Sequence, residues 1–285
     1  MAAQFPIQTL CAFFGVSRSG YYAWLGRGPG PRDQEEQKLL ADLKRAHQQS
    51  RHTYGSPRLC AALRQLGWKV GENRVARLMR QHGIAGLQKR RFRSKPSSAG
   101  PLRAPNRLKE QGLPEGPDQA WVADITYLPT RSGWIYLAAV MDLFSRKIVG
   151  WSLNERMDSS LVKEALAKAW QVRRPQPGLL HHSDKGSQYT SSAFGALLLN
   201  LKILRSFTGR QHCYENAHME SFWSKLKTEL ELHRHPFGCR QQAQLEIFDY
   251  IETFYNTQRL HSSLGFKSPD QFEEEHLYEN ATKRN

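Results

Sequence analysis

Three β-strands are predicted within residues 121–153, which read WVADITYLPTRSGWIYLAAVMDLFSRKIVGWSL. Residues 121–129 have an alternating hydrophobic pattern with aromatic and β-branched side chains. Residues 134–144 and 147–153 are nearly continuous apolar runs. Runs of this length joined by short turns, such as Arg-Ser-Gly, are typical of an antiparallel meander. The stretch therefore predicts that a β-sheet begins here.

Helical and strand patterns alternate after the meander. Helices are predicted at 159–170, 191–201, 215–230 and 241–258, the last one long, and further strands at 178–184 and 203–208. The order βββαβαβα predicts an α/β fold, in which helices pack on the faces of a mixed sheet.

Two aspartates stand where strands of this sheet are expected to meet. Asp124 lies in the middle of the first strand, and Asp184 ends the fourth strand within HHSDKGSQYT (181–190). If these strands are neighbours, the two carboxylates lie side by side and need a cation, and carboxylate oxygens suit Mg²⁺ or Mn²⁺. A third acid, Glu220, is expected from a flanking helix, with Lys227 two turns further along the same helix face.

The three acids and their spacing resemble a known catalytic pattern. Asp124, Asp184 and Glu220, with 35 residues between the last two and Lys227 after the glutamate, are similar to the D, D(35)E triad of DDE transposases and retroviral-type integrases. The chain resembles the second-reading-frame product of transposases of the insertion sequence 3 family, in particular its 150-like branch. The resemblance is carried by TLCAFFGVSRSGYYAWL, YGSPRL, WVADITYL, VMDLFSRKIVGW, HHSDKGSQYTS, CYENAHMESFWSKLKTEL and YNTQRLHSSLGFKSP.

This resemblance implies a ribonuclease-H-like core and a DDE polynucleotidyl transferase. Asp124, Asp184 and Glu220 would be catalytic and would hold two Mg²⁺ (or Mn²⁺) ions per active site. The implied activity is metal-dependent cleavage of DNA 3′ ends and strand transfer of an insertion sequence, with binding of its terminal inverted repeats. Implied partners are double-stranded element-end and target DNA, the first-reading-frame protein or a fusion with it, and further copies of the chain on DNA.

Two other functions stay open beside this one. The chain could be a DNA-binding accessory or regulatory protein of the element, inactive without its upstream partner, or a structure-specific nuclease without strand transfer. It departs from the family pattern at Glu215, where the family usually has Asp, and in RSFTGRQHCY (205–214), which is less rich in Ser and Gly. Neither departure touches the three acids.

The basic charge of the chain is confined to its first part. Residues 1–110 contain 21 Lys and Arg against 6 Asp and Glu, whereas residues 111–285 contain 20 of each sign. Such one-sided charge indicates a polyanionic partner, most often nucleic acid. The sequence shows no signal-peptide pattern, no apolar run of the ~18 residues that span a bilayer, and no paired cysteines, so a bacterial cytoplasmic, nucleoid-associated location is expected.

Four segments are predicted along the chain. They are a helix-turn-helix-like segment (1–30), a basic helical DNA-binding domain (31–92), a basic Pro/Gly linker (93–117) and the catalytic core with a helical extension (118–285). The residues predicted to contact DNA are Arg18, Arg58, Arg74, Arg77, Arg80, Lys89, Arg90, Arg91, Arg93, Lys185, Asn216 and Lys227. For Arg74, Arg77 and Arg80, a solvated helix face is the alternative.

Several polar residues near the acids have less specific interpretations. His181 and His182 are adjacent in a strand and point to opposite faces, so they are not expected to share a metal ion. Asp142 is interpreted as a turn residue rather than a fourth ligand. The spacing of His212, Cys213, His218, His233, His235 and Cys239 matches no common zinc site. Tyr255, Asn256, Arg259 and His261 could stabilise the fold or bind DNA.

Overall fold

The N-terminal part of the protein is entirely helical. The computed structural model describes residues 5–28, 30–87, 106–208 and 216–283. The first five helices are α1 (Ile7–Phe13), α2 (Arg18–Leu25), α3 (Pro31–Gln49), α4 (Ser56–Gln65) and α5 (Glu72–Gln81). Helix α2 begins at Arg18, because the Ser17 hydroxyl caps it by accepting the Gly20 N–H at 3.0 Å.

A five-stranded sheet forms the second part. Its elements are α6 (Arg107–Gln111), β1 (Ala120–Thr130), β2 (Gly133–Asp142), β3 (Ile148–Asn154), α7 (Ser159–Arg173), β4 (Leu180–Ser183), α8 (Ser187–Thr190), α9 (Ser192–Asn200), β5 (Leu204–Phe207) and α10 (Ala217–Glu229). The strand order is β3-β2-β1-β4-β5. The β1–β2 and β2–β3 pairs are antiparallel, and the β1–β4 and β4–β5 pairs are parallel. The predicted mixed sheet and its βββαβαβα order are confirmed.

The C-terminal part consists of shorter helical segments than the sequence predicts. The single helix expected over 241–258 is α11 (Arg240–Phe248) followed by a π-helical stretch, Asp249–Tyr255. A further helix, α12 (Pro269–Lys283), was not predicted. Only Pro269 and Glu273 of α12 are buried, so it lacks the apolar periodicity by which helices are recognised in a sequence.

Apolar side chains cover both faces of the sheet. On one face, Val122 of β1 and Met141 of β2 share a cluster with Met219 and Leu226 of α10. On the other face, Trp121 and Ala123 pack with residues of α7 and α9. Because side chains alternate along a strand, even-numbered residues of β1 point towards α10. This alternation directs Asp124 to the α10 side.

The helical part docks on the C-terminal helices of the sheet domain. Residues of α3, α4 and α5 belong to the same apolar cluster as Val122 and Met219. The Tyr54 hydroxyl accepts the Leu260 N–H at 2.7 Å, and Arg58 donates to the Leu260 carbonyl at 3.0 Å. The predicted boundary at residues 93–117 remains a prediction, because most of it lies outside the described residues.

Candidate active site

The register of β1 and β4 brings Asp124 and Asp184 to the same edge of the sheet. The parallel ladder pairs Trp121 with His181 and Val122 with His182. Asp124 and Asp184 each follow two residues later, at equivalent positions where β4 has ended. The condition set by the sequence, that the first and fourth strands be neighbours, is met.

Asp124 is held by a side chain that the sequence did not single out. The indole Nε1–H of Trp223, on α10, donates to Asp124 Oδ2 at 2.9 Å. Burial and the negative charges of Asp184 and Glu220 together raise the pKa of Asp124 to about 7, against the lowering effect of the Trp223 hydrogen bond. The surroundings of Asp124 therefore disfavour the ionised form of its carboxyl group.

Asp184 is oriented by its own turn. The Gly186 N–H donates to Asp184 Oδ1 at 3.0 Å. A methyl group added at Gly186 would lie 3.0 Å from the same oxygen, so a larger residue would press on the carboxylate. Beneath this turn Tyr189 is 2% exposed, and its hydroxyl has no hydrogen-bond partner within the described residues. Burial and the charges of Asp124 and Asp184 raise the pKa of Tyr189.

Helix α10 supplies both an acid and a cation to this edge. Glu220, Trp223 and Lys227 follow each other at spacings of three and four and so share one face of α10. Burial lowers the pKa of Lys227, and the charge of Asp124 raises it. The Lys227 ammonium also lies 4.7 Å from the ring centroid of Tyr127, on β1. The predicted acid and cation of this helix thus both interact electrostatically with Asp124.

The donor set suits a hard divalent cation. Within the described residues, no three His, Cys, Asp or Glu side chains form a ready-made metal site. The charges of Asp184 and Glu220 nevertheless both act on Asp124 and, after burial, raise its pKa, so both carboxylates lie within electrostatic reach of Asp124. Asp124, Asp184 and Glu220 therefore fit Mg²⁺ or Mn²⁺.

The two histidines before Asp184 point to opposite faces, as predicted. The His181 ring packs 5.3 Å from that of Phe194, and burial lowers the pKa of His181 to about 3. His182 lies 2.9 Å from the Ser206 hydroxyl, on β5. Both side chains are buried, so each one supports the sheet on its own side.

Comparisons with known proteins identify the domains of the chain and its relatives. Residues 114–213 and 201–269 match models of the integrase core domain, and residues 34–92 match that of an HTH-like domain. The chain is 42% identical over 268 residues to the insertion element IS600 uncharacterized 31 kDa protein of Shigella sonnei, covering 94% of this chain and 98% of that one. It is 38% identical over 279 residues to transposase InsF for insertion sequence IS3A of Escherichia coli (strain K12), covering 96% of each.

The chain belongs to the insertion sequence 3 family of transposases. Its five-stranded sheet is the ribonuclease-H-like integrase core of that family. Among solved structures, it is similar to a chain of the simian T-cell lymphotropic virus intasome in complex with PP2A regulatory subunit B56 gamma. That match has 16% identity and a TM-score of 0.47, and it covers 77% of this chain and 70% of that one. Assignment to the 150-like branch stays a prediction.

The arginines predicted to bind DNA in this transposase differ in their surroundings. Arg18 and Arg80 are exposed. Arg77 donates to Glu36 of α3 at 2.8 Å, and Arg74 lies 3.2 Å from Glu35. Arg58 is partly buried in the docking contact with Leu260. Arg58 therefore holds the two parts of the chain together, and Arg74 and Arg77 pair with α3.

The remaining predicted DNA contacts fall into two groups. Lys185 and Asn216 flank the site, but Asn216, although it occupies the N-cap of α10, makes no side-chain capping bond. Its buried Oδ1 has no partner within the described residues. Lys89, Arg90, Arg91 and Arg93 lie outside the described residues.

The motif YNTQRLHSSL of the transposase has a structural role. Asn256 bonds both the N–H and the carbonyl of Ile148, at 2.9 and 3.0 Å, and so attaches the C-terminal part to β3. Arg259 is 1% exposed and forms a bidentate ion pair with Glu229, at the end of α10. Asp142 is a turn residue as predicted, because it accepts the N–H groups of Phe144 and Ser145.

Proposed function

We propose that this transposase is a DDE polynucleotidyl transferase that cleaves the 3′ ends of its insertion sequence and joins them to DNA. The observation that carries the proposal is that Asp124 and Asp184 occupy equivalent positions in the register of β1 and β4, with Glu220 of α10 acting electrostatically on Asp124. Neighbouring carboxylates at a sheet edge are suited to phosphoryl transfer with divalent ions.

Each residue of the site has a part in the proposed reaction. Asp124, Asp184 and Glu220 would hold two Mg²⁺ (or Mn²⁺) ions, which when bound supply Lewis-acid activation of the attacking and leaving oxygens. Trp223 and the Gly186 N–H fix the orientation of the two aspartates. Lys227 places a cation beside Asp124, where a phosphate of the bound strand can pair with it.

The chemistry consists of two displacements at phosphorus. Water first attacks a phosphodiester, the P–O3′ bond breaks, and a 3′-hydroxyl and a 5′-phosphate result. The oxygen of this 3′-hydroxyl then attacks a second phosphodiester, losing its proton as the second 3′-oxygen leaves and takes one up. Terminal inverted repeats are the proposed substrate. The basic helical part recognises them together with the first-reading-frame protein or a fusion with it. Several copies of the chain act together on the DNA.

Cleavage of candidate terminal-repeat DNA with Mg²⁺ tests the proposal. Asp124→Asn, Asp184→Asn and Glu220→Gln should each lose cleavage and strand transfer, whereas Glu274→Gln, a change of an exposed acid of α12, should leave both unchanged. Each assay is run with the chain alone and with the first-reading-frame protein. Full activity in the three variants would contradict the catalytic assignment, and transfer of pre-cleaved ends separates a transposase from a nuclease.

A further inference from the structure

Two large aromatic side chains are exposed at the free end of the β1–β2 hairpin. Tyr127 is 58% exposed and Trp134 is 57% exposed. Their rings lie 5.2 Å apart and nearly perpendicular. The strand register pairs Tyr127 with Tyr136 and Pro129 with Trp134, so the two rings are diagonal neighbours on one face of the sheet.

This pair, called here the hairpin ledge (Tyr127 and Trp134), lies beyond the core of the molecule. Ile125 and Tyr136 still pack against the apolar cluster beneath α7. The ledge is one step further along both strands and belongs to neither core cluster. Its aromatic surface therefore faces solvent rather than stabilising the fold by burial.

The ledge is connected to the active site through Lys227. The Lys227 ammonium lies 4.7 Å from the Tyr127 ring centroid and within the electrostatic reach of Asp124. Tyr127 follows Asp124 by three residues on β1, about 10 Å at ~3.3 Å per residue, and points to the opposite face, where the Lys227 side chain reaches its ring. At the duplex rise of about 3.4 Å per nucleotide, this distance is about three nucleotides, and a more extended unpaired strand covers it with fewer.

Further cations lie near the turn of the β1–β2 hairpin. Arg131 in this turn, Arg234 and His235 line a cavity of about 260 Å³, which Glu246 lines as well. The Arg131 N–H donates to the Phe237 carbonyl at 2.9 Å, which holds the turn against this segment. The ledge thus has Lys227 beside Tyr127 and Arg131 in the turn that joins its two strands.

We propose that the hairpin ledge stacks unpaired bases of the DNA end whose phosphate is bound at the active site. Exposed aromatic rings beside cations are the surface that single-stranded nucleic acid requires, because bases stack on the rings and phosphates pair with the cations. The ledge is favoured for DNA by the cations beside it, because phosphates pair with cations whereas the catalytic part of a second copy carries no net charge. The inference rests on the proposed function for the nature of the substrate.

Binding of two DNA probes by the full chain tests this inference. One probe is a fluorescein-labelled blunt duplex, and the other is the same duplex with an unpaired 3′ tail; EDTA prevents cleavage. Trp134→Ala should bind the tailed probe about tenfold more weakly and the blunt probe as the unchanged chain does. Trp134→Phe should retain most of the affinity, and Tyr278→Ala, which removes an aromatic ring that is 75% exposed on α12, should retain all of it.

Two further readouts distinguish stacking from other roles. The slope of log K against log salt should be the same for Trp134→Ala as for the unchanged chain, because no phosphate contact is lost. A 2-aminopurine base in the tail should be quenched by the unchanged chain and by Trp134→Phe, but not by Trp134→Ala. This fluorescence test on the unchanged chain stands even if Trp134→Ala does not fold.

Three results would overturn the inference: no quenching of 2-aminopurine by the unchanged chain, an affinity of Trp134→Ala for the tailed probe equal to that of the unchanged chain, or a change in its sedimentation without a tail-specific loss. The last would make the ledge an interface between copies. A chain that binds tails through Trp134 but never cleaves supports the ledge and contradicts the proposed function. If the unchanged chain cleaves DNA and Trp134→Ala still binds the tailed probe with unchanged affinity, the proposed function is supported and the ledge is contradicted.

Discussion

At the scale of single residues, the ionised form of Asp124 lowers the stability of the folded protein. Asp124 lies among other acids and against an indole, and its pKa is raised to about 7. An unfolded chain would let the same carboxyl ionise near its ordinary pKa of about 4. The folded protein therefore retains a proton that the unfolded chain loses, and ionisation of Asp124 destabilises the fold as the pH rises from about 4 to about 7.

Asp124→Asn should therefore stabilise the metal-free protein while removing its activity. The gain should be absent near pH 4, should grow as the pH rises, and should be complete above pH 7, reaching at most about 4 kcal/mol for a shift of this size. Thermal melts in EDTA across this pH range measure it. Mg²⁺ should then raise the melting temperature of the unchanged chain more than that of the variant. Equal melting temperatures at pH 8 would contradict this explanation.

At the scale of elements, close packing positions the strands that carry the site. Helix α7 lies so close to β3 that a methyl group added at Gly150 would be 2.4 Å from the Ala165 carbonyl oxygen. Gly150→Ala should therefore force α7 away and destabilise the protein by about 1 to 3 kcal/mol. Denaturant unfolding measures the change. Gly28→Ala is the control, since nothing lies within 4 Å of its added methyl group. Equal stability of the two variants would refute the packing argument.

The buried ion pair between Arg259 and Glu229 also positions these elements, because it joins the C-terminal part to α10. Arg259→Met should destabilise the protein by about 3 to 5 kcal/mol, because it leaves the carboxylate of Glu229 buried without its cation. The double variant Arg259→Met, Glu229→Leu should recover much of this loss, although Tyr250 then loses its acceptor. Urea unfolding of the single and double variants gives the coupling. A double variant that is less stable than Arg259→Met would show that the charge imbalance is not the cause.

At the scale of the whole molecule, the excess charge of the first 110 residues determines how DNA affinity depends on salt. Each phosphate contact contributes about 0.9 to the slope of log K against log salt for duplex DNA. Changing Lys89, Arg90, Arg91 and Arg93 together to Ala should lower this slope by up to about 3.6. Titrations at several salt concentrations measure it, and an unchanged slope would remove the four residues from the DNA contacts.

Arg77 and Arg80 offer a matched comparison on a single helix. Arg80→Ala should lower the slope by about 0.9, because Arg80 is exposed. Arg77→Ala should lower it less, since the Arg77 guanidinium already pairs with Glu36 at 2.8 Å. The reverse order would show that Arg77 leaves Glu36 for a phosphate when DNA binds.

The sequence by itself determined the succession of strands and helices along the sheet domain, and it proposed the three acids. Apolar alternation is a local property, so β1 to β5 could be predicted from neighbouring residues, whereas the acids were proposed from their spacing and its resemblance to the DDE triad. The unpredicted helix α12 marks the limit of this local signal. Its residues are mostly polar and exposed, so it has no apolar periodicity, and its local signal is confined to its start, where Ser268 and Gln271 form a capping box and Pro269 is the first helical residue.

Only the tertiary structure decided what surrounds those acids. Trp223 bonds Asp124 across 99 positions of sequence, and Arg259 pairs with Glu229 across 30. Neither contact follows from periodicity, because each depends on how α10 lies across β1 and against the C-terminal part. The exposure of Tyr127 and Trp134 likewise follows from where the packed core ends. The sequence could therefore propose the acids, but packing alone determines the charge, the hydrogen bonds and the exposed surface around them.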